Sequence, residues 1–256
     1  MNCWPAIINI LRPFWPQIAG NTPPPAHRVP IDHNAWDREL GRNSHYQALR
    51  TCYIGQPPCT GTPCICELSR ADLYRLAYAV WQAGPNNLPE LKRLFIATVI
   101  WGNGLDKRWY FRPAVMLRSP NFNSIIRQVS RAVYEGFIGN AYGTLHRNQT
   151  SLINELGATF ATKFLYFLAT PLNCKIKPLI LDDRVSISLR KLIKKAKLPD
   201  EYWRYITNAA PQLTNPRWTD SGYLEYLIIM HHTACALGVR ADQLEMFLWE
   251  PPPNFP

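Results

Sequence analysis

The chain has 256 residues, with 28 Lys+Arg against 18 Asp+Glu and a formal net charge of +10. At 47% apolar and 18% charged residues it cannot be a disordered chain, and no apolar run approaches the about twenty residues of a bilayer span. The opening Met1-Asn2-Cys3-Trp4-Pro5 lacks the basic flank and small-residue cleavage site of a signal peptide. A soluble, cytoplasmic globular protein is expected, and its positive excess points to a polyanionic partner. Seven cysteines cannot all pair with one another, which fits thiols in a reducing compartment.

The first 66 residues hold ten of the 23 prolines and five of the seven cysteines. Proline removes a backbone donor and disfavours helix in the residue before it. This segment, 1–66, is expected to be an irregular arm with one short helix around Ala35–Leu49. Its apolar residues Trp4, Ile7, Ile8, Ile10, Leu11, Phe14 and Trp15 predict that it packs onto the body, 67–256. From Ser69 the pattern turns helical. Ser69 and Asp72 have capping-box spacing, and Leu73, Leu76, Ala77, Val80 and Trp81 recur at helical intervals until Gly84-Pro85. Pro89 suits a first helical turn, and Glu90–Trp101 is apolar nearly all round, as a buried helix would be. Gly102-Asn103-Gly104 is expected to break it. A helix starting at Asn123 or Ser124 is expected to run through Phe137 and end at Gly139. Further helices are expected at 150–169, 184–197, 200–209, 220–237 and 240–249. The fold class predicted is all-α, compact from about residue 67 to 250, with no internal repeat.

Charge is concentrated in one place. Between Lys163 and Lys197 there are nine basic residues and two acids, Asp182 and Asp183, for a net +7 over 35 residues. A lysine near the start of an apolar helix runs against the helix dipole. Flanked by Phe160, Phe164 and Phe167, its amine is expected to have a lowered pKa, and a neutral amine is a nucleophile. Asp182 follows the apolar Leu179-Ile180-Leu181 and opens the next helix, where a carboxylate is stabilised. Two helix starts can thus present an amine and a carboxylate to one cleft.

The stretch Leu156-Gly157-Ala158-Thr159-Phe160-Ala161-Thr162-Lys163, with Asp182-Asp183-Arg184-Val185 placing Asp182 nineteen residues after Lys163, resembles the catalytic core of the helix-hairpin-helix superfamily of DNA glycosylases. The likeness is to the 8-oxoguanine DNA glycosylase branch, and Gly238–Glu245 adds to it. It covers roughly residues 70–250. Two features depart from that pattern: the hairpin has one glycine, and a C-terminal four-cysteine cluster is absent. The resemblance implies a helical glycosylase fold with a divergent hairpin. It implies a monomer that binds duplex DNA, flips a modified base and cleaves its glycosidic bond without a cofactor, leaving an abasic site. Asp182 is implied to stabilise the oxocarbenium-like state or activate the nucleophile. Lys163 is implied to attack C1′ and form a Schiff base, which opens a route to strand cleavage; with Lys163 not positioned for attack, Asp182 with water gives a monofunctional enzyme instead. Two roles follow, repair of oxidised guanine and phage defence against hypermodified cytosine such as glucosylated hydroxymethylcytosine. The atypical hairpin and the added arm favour defence, since a bulky base needs a reshaped pocket.

The remaining candidates follow from that frame. Thr162, Arg184, Arg190, Lys191, Lys194, Lys107 and Arg112 are expected to contact DNA, against the alternative of a solvated charged face. Trp101, Asn103, Trp109 and Trp249 are expected around the extruded base, against the alternative of ordinary core aromatics. Cys52, Cys59, Cys64 and Cys66 match no trusted metal spacing, and no metal is expected. A non-catalytic DNA-binding protein and a basic helical interaction module remain as other function classes.

Overall fold

The computed structural model describes residues 4–20, 27–52, 65–147, 150–198 and 220–256. The predicted helix at 200–209, Cys59, Cys64 and the side chain of Cys52 lie outside the described residues. Those that are described are mostly helical, with two short antiparallel strand pairs. No helix among them is long and apolar enough to cross a membrane.

The N-terminal segment carries more helix than the single short one expected. Helices α1 (Trp4–Leu11), α2 (Trp15–Gly20), α3 (His33–Leu40) and α4 (Ser44–Cys52) lie there. The prolines bound these helices instead of excluding them: Pro5 stands in the first turn of α1 and Pro16 in that of α2, where a missing N–H costs nothing. Asp32 caps α3 by accepting from the Ala35 amide at 3.2 Å. The described helices α1 and α2 pack against later helices of the chain. Ile7, Leu11 and Ile18 are buried, and the Trp15 indole donates to the Leu237 carbonyl at 2.8 Å. Strands β1 (Arg28–Asp32) and β2 (Ile65–Ser69) pair antiparallel, with Arg28 opposite Ser69. That pairing sets His27 beside the start of the next helix, where its carbonyl accepts from the Arg70 amide at 3.0 Å.

The body follows the hydrophobic pattern closely. The capping box forms as predicted, with Ser69 and Asp72 bonded reciprocally at the start of α5 (Arg70–Gln82). Helix α6 (Leu88–Asn103) carries Pro89 in its first turn and is buried along most of its length. It ends at Gly104, whose φ of 54° suits glycine, so Gly102 and Asn103 are still helical. After α7 (Arg112–Leu117), helix α8 (Phe122–Tyr134) stops at Gly136, φ 82°. Gly139 opens α9 (Ile138–Leu145) rather than ending α8. A two-residue strand pair follows α9, so α10 (Ala158–Ala169) begins eight residues later than expected. Helices α11 (Asp183–Lys195), α12 (Asp220–Leu237) and α13 (Ala241–Trp249) lie within a residue or two of prediction. Helix α10 is the centre of the core: it packs on α5, α6, α8 and α9, and all its residues but Thr159 and Lys163 are buried.

Candidate active site

The site is built where the end of α6, the middle of α10, the start of α11 and the end of α13 meet. Lys163 lies in the second turn of α10. Its helix approaches α6 so closely that a Cβ on Gly102 would stand 2.6 Å from Cε1 of Phe160 and 3.3 Å from Cδ of Lys163. The ammonium lies 5.6 Å from the Trp101 ring centre and 5.5 Å from that of Phe160. Rings attract a cation weakly and solvate it far less than water does. Burial therefore holds Lys163 below the usual lysine range; Asp182, then Glu245 and Asp183, oppose the shift, and the guanidinium of Arg70 adds to it.

Asp182 is the N-cap of α11, accepting from the Val185 amide at 3.0 Å. It is the strongest of the anions acting on Lys163. Asp183, more exposed, is pushed up by desolvation and by the charge of Asp182, while Arg190 and Lys163 oppose the rise.

A cavity of about 960 Å³ opens on Lys163. Lys163, Asn103, Trp109, Arg112, Asp183 and Arg190 all line it, so α6, the 107–112 stretch, α10 and α11 each contribute to one cavity. The Arg112 guanidinium lies 3.6 Å from the Trp109 ring centre. The uncapped N-terminus of α10, at Gly157, Ala158 and Thr159, lines it as well. The hairpin before α10 turns through Glu155, φ 63°, and Gly157 takes an ordinary extended conformation. A left-handed position, where glycine would be unstrained, is therefore filled by a glutamate.

Several expected residues lie elsewhere. Thr162 does not face DNA: it is wholly buried, and its Oγ1 accepts from the Leu181 amide at 3.1 Å. Trp101 and Trp249 stand beyond Lys163, in an aromatic group joined by His27, whose ring centre is 5.6 Å from Trp101 and 6.0 Å from Trp249. Arg184 stacks on Trp249 at 4.8 Å. Lys107, Lys191 and Lys194 are exposed. Cys66 is a half-buried thiol that burial pushes up to about 12.

Sequence reasoning missed five residues. Arg70, 3% exposed, lays its guanidinium over Trp101 at 5.2 Å and donates to Tyr166 Oη at 3.2 Å. Glu245, 2% exposed, accepts from the Ile180 amide at 3.0 Å and is pushed up by burial to about 8. His27 is held below the ordinary histidine range, chiefly by burial and then by Arg70. His146 and Ser186 line the cavity with Nδ1 and Oγ unbonded, as Asn103 does with Nδ2. A charged residue at an apolar position of a helix, as Arg70 and Glu245 are, was the one available signal.

A family model described as "Putative 8-oxoguanine DNA glycosylase OGG-like protein" matches residues 22–249. No curated protein and no solved structure matches the chain. The match spans most of the sequence, and the chain belongs to this family.

Proposed function

We propose that this member of the OGG-like family is a DNA N-glycosylase that extrudes a modified base from duplex DNA and cleaves its glycosidic bond, leaving an abasic site. The observation that carries the reading is Lys163. A lysine held towards its neutral form by burial lines a cavity together with Asp183, and Asp182, the cap of the same helix as Asp183, acts on that lysine from outside the lining. A neutral amine attacks C1′; a carboxylate stabilises positive charge growing on the sugar. The residues' roles are then distinct. Lys163 is the nucleophile, and its Schiff base opens a route to strand cleavage. Asp182 is the electrostatic stabiliser, fixed by its cap bond. The N-terminus of α10, Arg190 and Arg112 hold phosphates, and Lys107, Arg184, Lys191 and Lys194 extend the basic face. Asn103 and Trp109 meet the extruded base, with Trp101 and Trp249 behind Lys163.

The family description makes 8-oxoguanine the first substrate to test. A second to test is a bulky hypermodified cytosine such as the glucosylated form, and with it a role in phage defence; the single-glycine hairpin and the N-terminal arm are what prompt it. Purified protein incubated with duplexes of each kind separates the two by which one acquires abasic sites. Borohydride trapping on abasic DNA tests the chemistry. A covalent adduct lost in Lys163→Ala establishes the Schiff base. Base release that survives in Lys163→Ala but not in Asp182→Asn establishes a monofunctional route. Release from no duplex, with DNA still bound, leaves a non-catalytic DNA-binding protein.

A further inference from the structure

Asp182 is reached through Leu179-Ile180-Leu181, three buried residues outside any helix or strand. Buried backbone groups need partners, and a segment without a neighbouring strand must find them in side chains. Here they are supplied from three helices. The Leu179 carbonyl accepts from Tyr223 Oη at 2.9 Å, and the Ile180 carbonyl from Tyr226 Oη at 2.9 Å, both from α12. The Ile180 amide donates to Glu245 Oε2 of α13 at 3.0 Å. The Leu181 amide donates to Thr162 Oγ1 of α10 at 3.1 Å, while that hydroxyl donates to the Thr159 carbonyl at 3.0 Å. All four side chains are at most 2% exposed.

Satisfying a buried segment explains why partners exist. It does not explain where they come from. Thr162 precedes Lys163, so one hydroxyl ties the lysine's helix to the residue before the aspartate. Glu245 and Tyr226 hold the same segment from the opposite side. Asp182 then leaves it in extended conformation, φ −107° and ψ 179°, directly into its cap bond with Val185. Its carboxylate has little freedom left.

On the glycosylase reading above, we infer that Glu245, Tyr223, Tyr226 and Thr162 form a clamp that fixes Asp182 relative to Lys163, making them positioning residues for base excision. The clamp works through acceptor and donor atoms, not through charge. A glutamine at 245 keeps a carbonyl acceptor for the Ile180 amide, and an alanine does not. A displacement of about 1 Å at a reacting group costs on the order of a hundredfold in rate, so loosening the clamp is expected to act on the chemical step and spare DNA affinity.

The test is single-turnover base release, with DNA affinity and hydrogen exchange at the Ile180 and Leu181 amides measured alongside, in Glu245→Ala, Glu245→Gln, Thr162→Val and Tyr226→Phe. Expected is a rate loss of about tenfold to a hundredfold in Glu245→Ala, Thr162→Val and Tyr226→Phe. DNA affinity should stay within about twofold, and Glu245→Gln should restore the rate. Ile180 protection should fall in Glu245→Ala and hold in Glu245→Gln. Wild-type release by folded Glu245→Ala overturns the clamp, as does a Glu245→Gln variant as slow as the alanine. If Glu245→Ala does not fold, the near-isosteric Thr162→Val and Tyr226→Phe decide by the same rate criterion. A wild-type protein that releases no base overturns the glycosylase reading and the catalytic purpose of the clamp. The exchange data then still show whether the segment is held.

Discussion

Gly102→Ala tests the closest approach in the site. Gly102 lies in the last turn of α6 with a helical backbone, so alanine gains up to about 1 kcal/mol of helix propensity. Against that, its Cβ would stand 2.6 Å from Cε1 of Phe160, well inside contact distance. Phe160 is 8% exposed, and a ring so enclosed cannot yield freely. Overpacking of this kind costs about 1–3 kcal/mol. The balance is a net loss of roughly 0–2 kcal/mol, measurable by urea denaturation. The functional effect should be larger than the stability effect. The same Cβ would press on Cδ of Lys163 at 3.3 Å, and a ring swung towards the cavity narrows it. Borohydride trapping on abasic DNA should slow by at least about tenfold at temperatures where the variant is folded. A variant stabilised by about 1 kcal/mol, trapping at the parent's rate, would refute the close packing of α6 on α10 as the reason for this glycine.

Three further outcomes follow from charge and burial. Because desolvation lowers Lys163, its neutral fraction rises at lower pH than in free lysine, and the pH profile of trapping should have its midpoint below 10.5. Asp182 opposes that shift, so Asp182→Asn should move the midpoint lower still; a midpoint at 10.5 or above would contradict both. Glu245 has its pKa raised from 4.5 to about 8, so the folded state binds more protons than the unfolded one between those values. Stability should therefore fall as pH rises through that window, by a few kcal/mol at most, and Glu245→Gln should flatten the fall in denaturant midpoints. A parent and variant with parallel pH dependence would place the carboxyl in water. Lys191→Ala and Lys194→Ala, on the exposed face of α11, should each reduce the slope of log K against log salt for duplex DNA by about 0.9 if each meets one phosphate. An unchanged slope would assign those lysines to the solvated face.

The helices of the body were legible because burial imposes a period. Ser69 with Asp72, Pro89 in a first turn, and the repeat Leu73, Leu76, Ala77, Val80 mark α5 and α6 by local chemistry alone. The arm was less legible. Proline density reads as irregular chain, yet Pro5 and Pro16 stand where a helix tolerates proline. Whether a proline bounds a helix or forbids it depends on its place in the turn, and composition does not carry that. The start of α10 was missed for a related reason: the short pairing of His146-Arg147 with Thr150-Ser151 is a contact between segments, not a pattern within one.

The site divides the same way. The concentration of positive charge and the spacing of Lys163 and Asp182 are properties of the chain; of that stretch, Lys163, Asp183 and Arg190 line the cavity and Asp182 does not. What Thr162 does depends on which way its side chain points. In the sequence it stands beside the lysine and reads as a DNA contact; in the fold it turns inward to bond Leu181. Arg70 and Glu245 are 175 residues apart, yet both are buried and act on the proton of Lys163 with opposite sign. The sequence by itself determined where helices form and where charge accumulates, since both follow from neighbours along the chain. Which other charges lost their water, and which of them oppose or add to the desolvation of Lys163, only the tertiary structure decided, because these groups are far apart in sequence and packing brings them together.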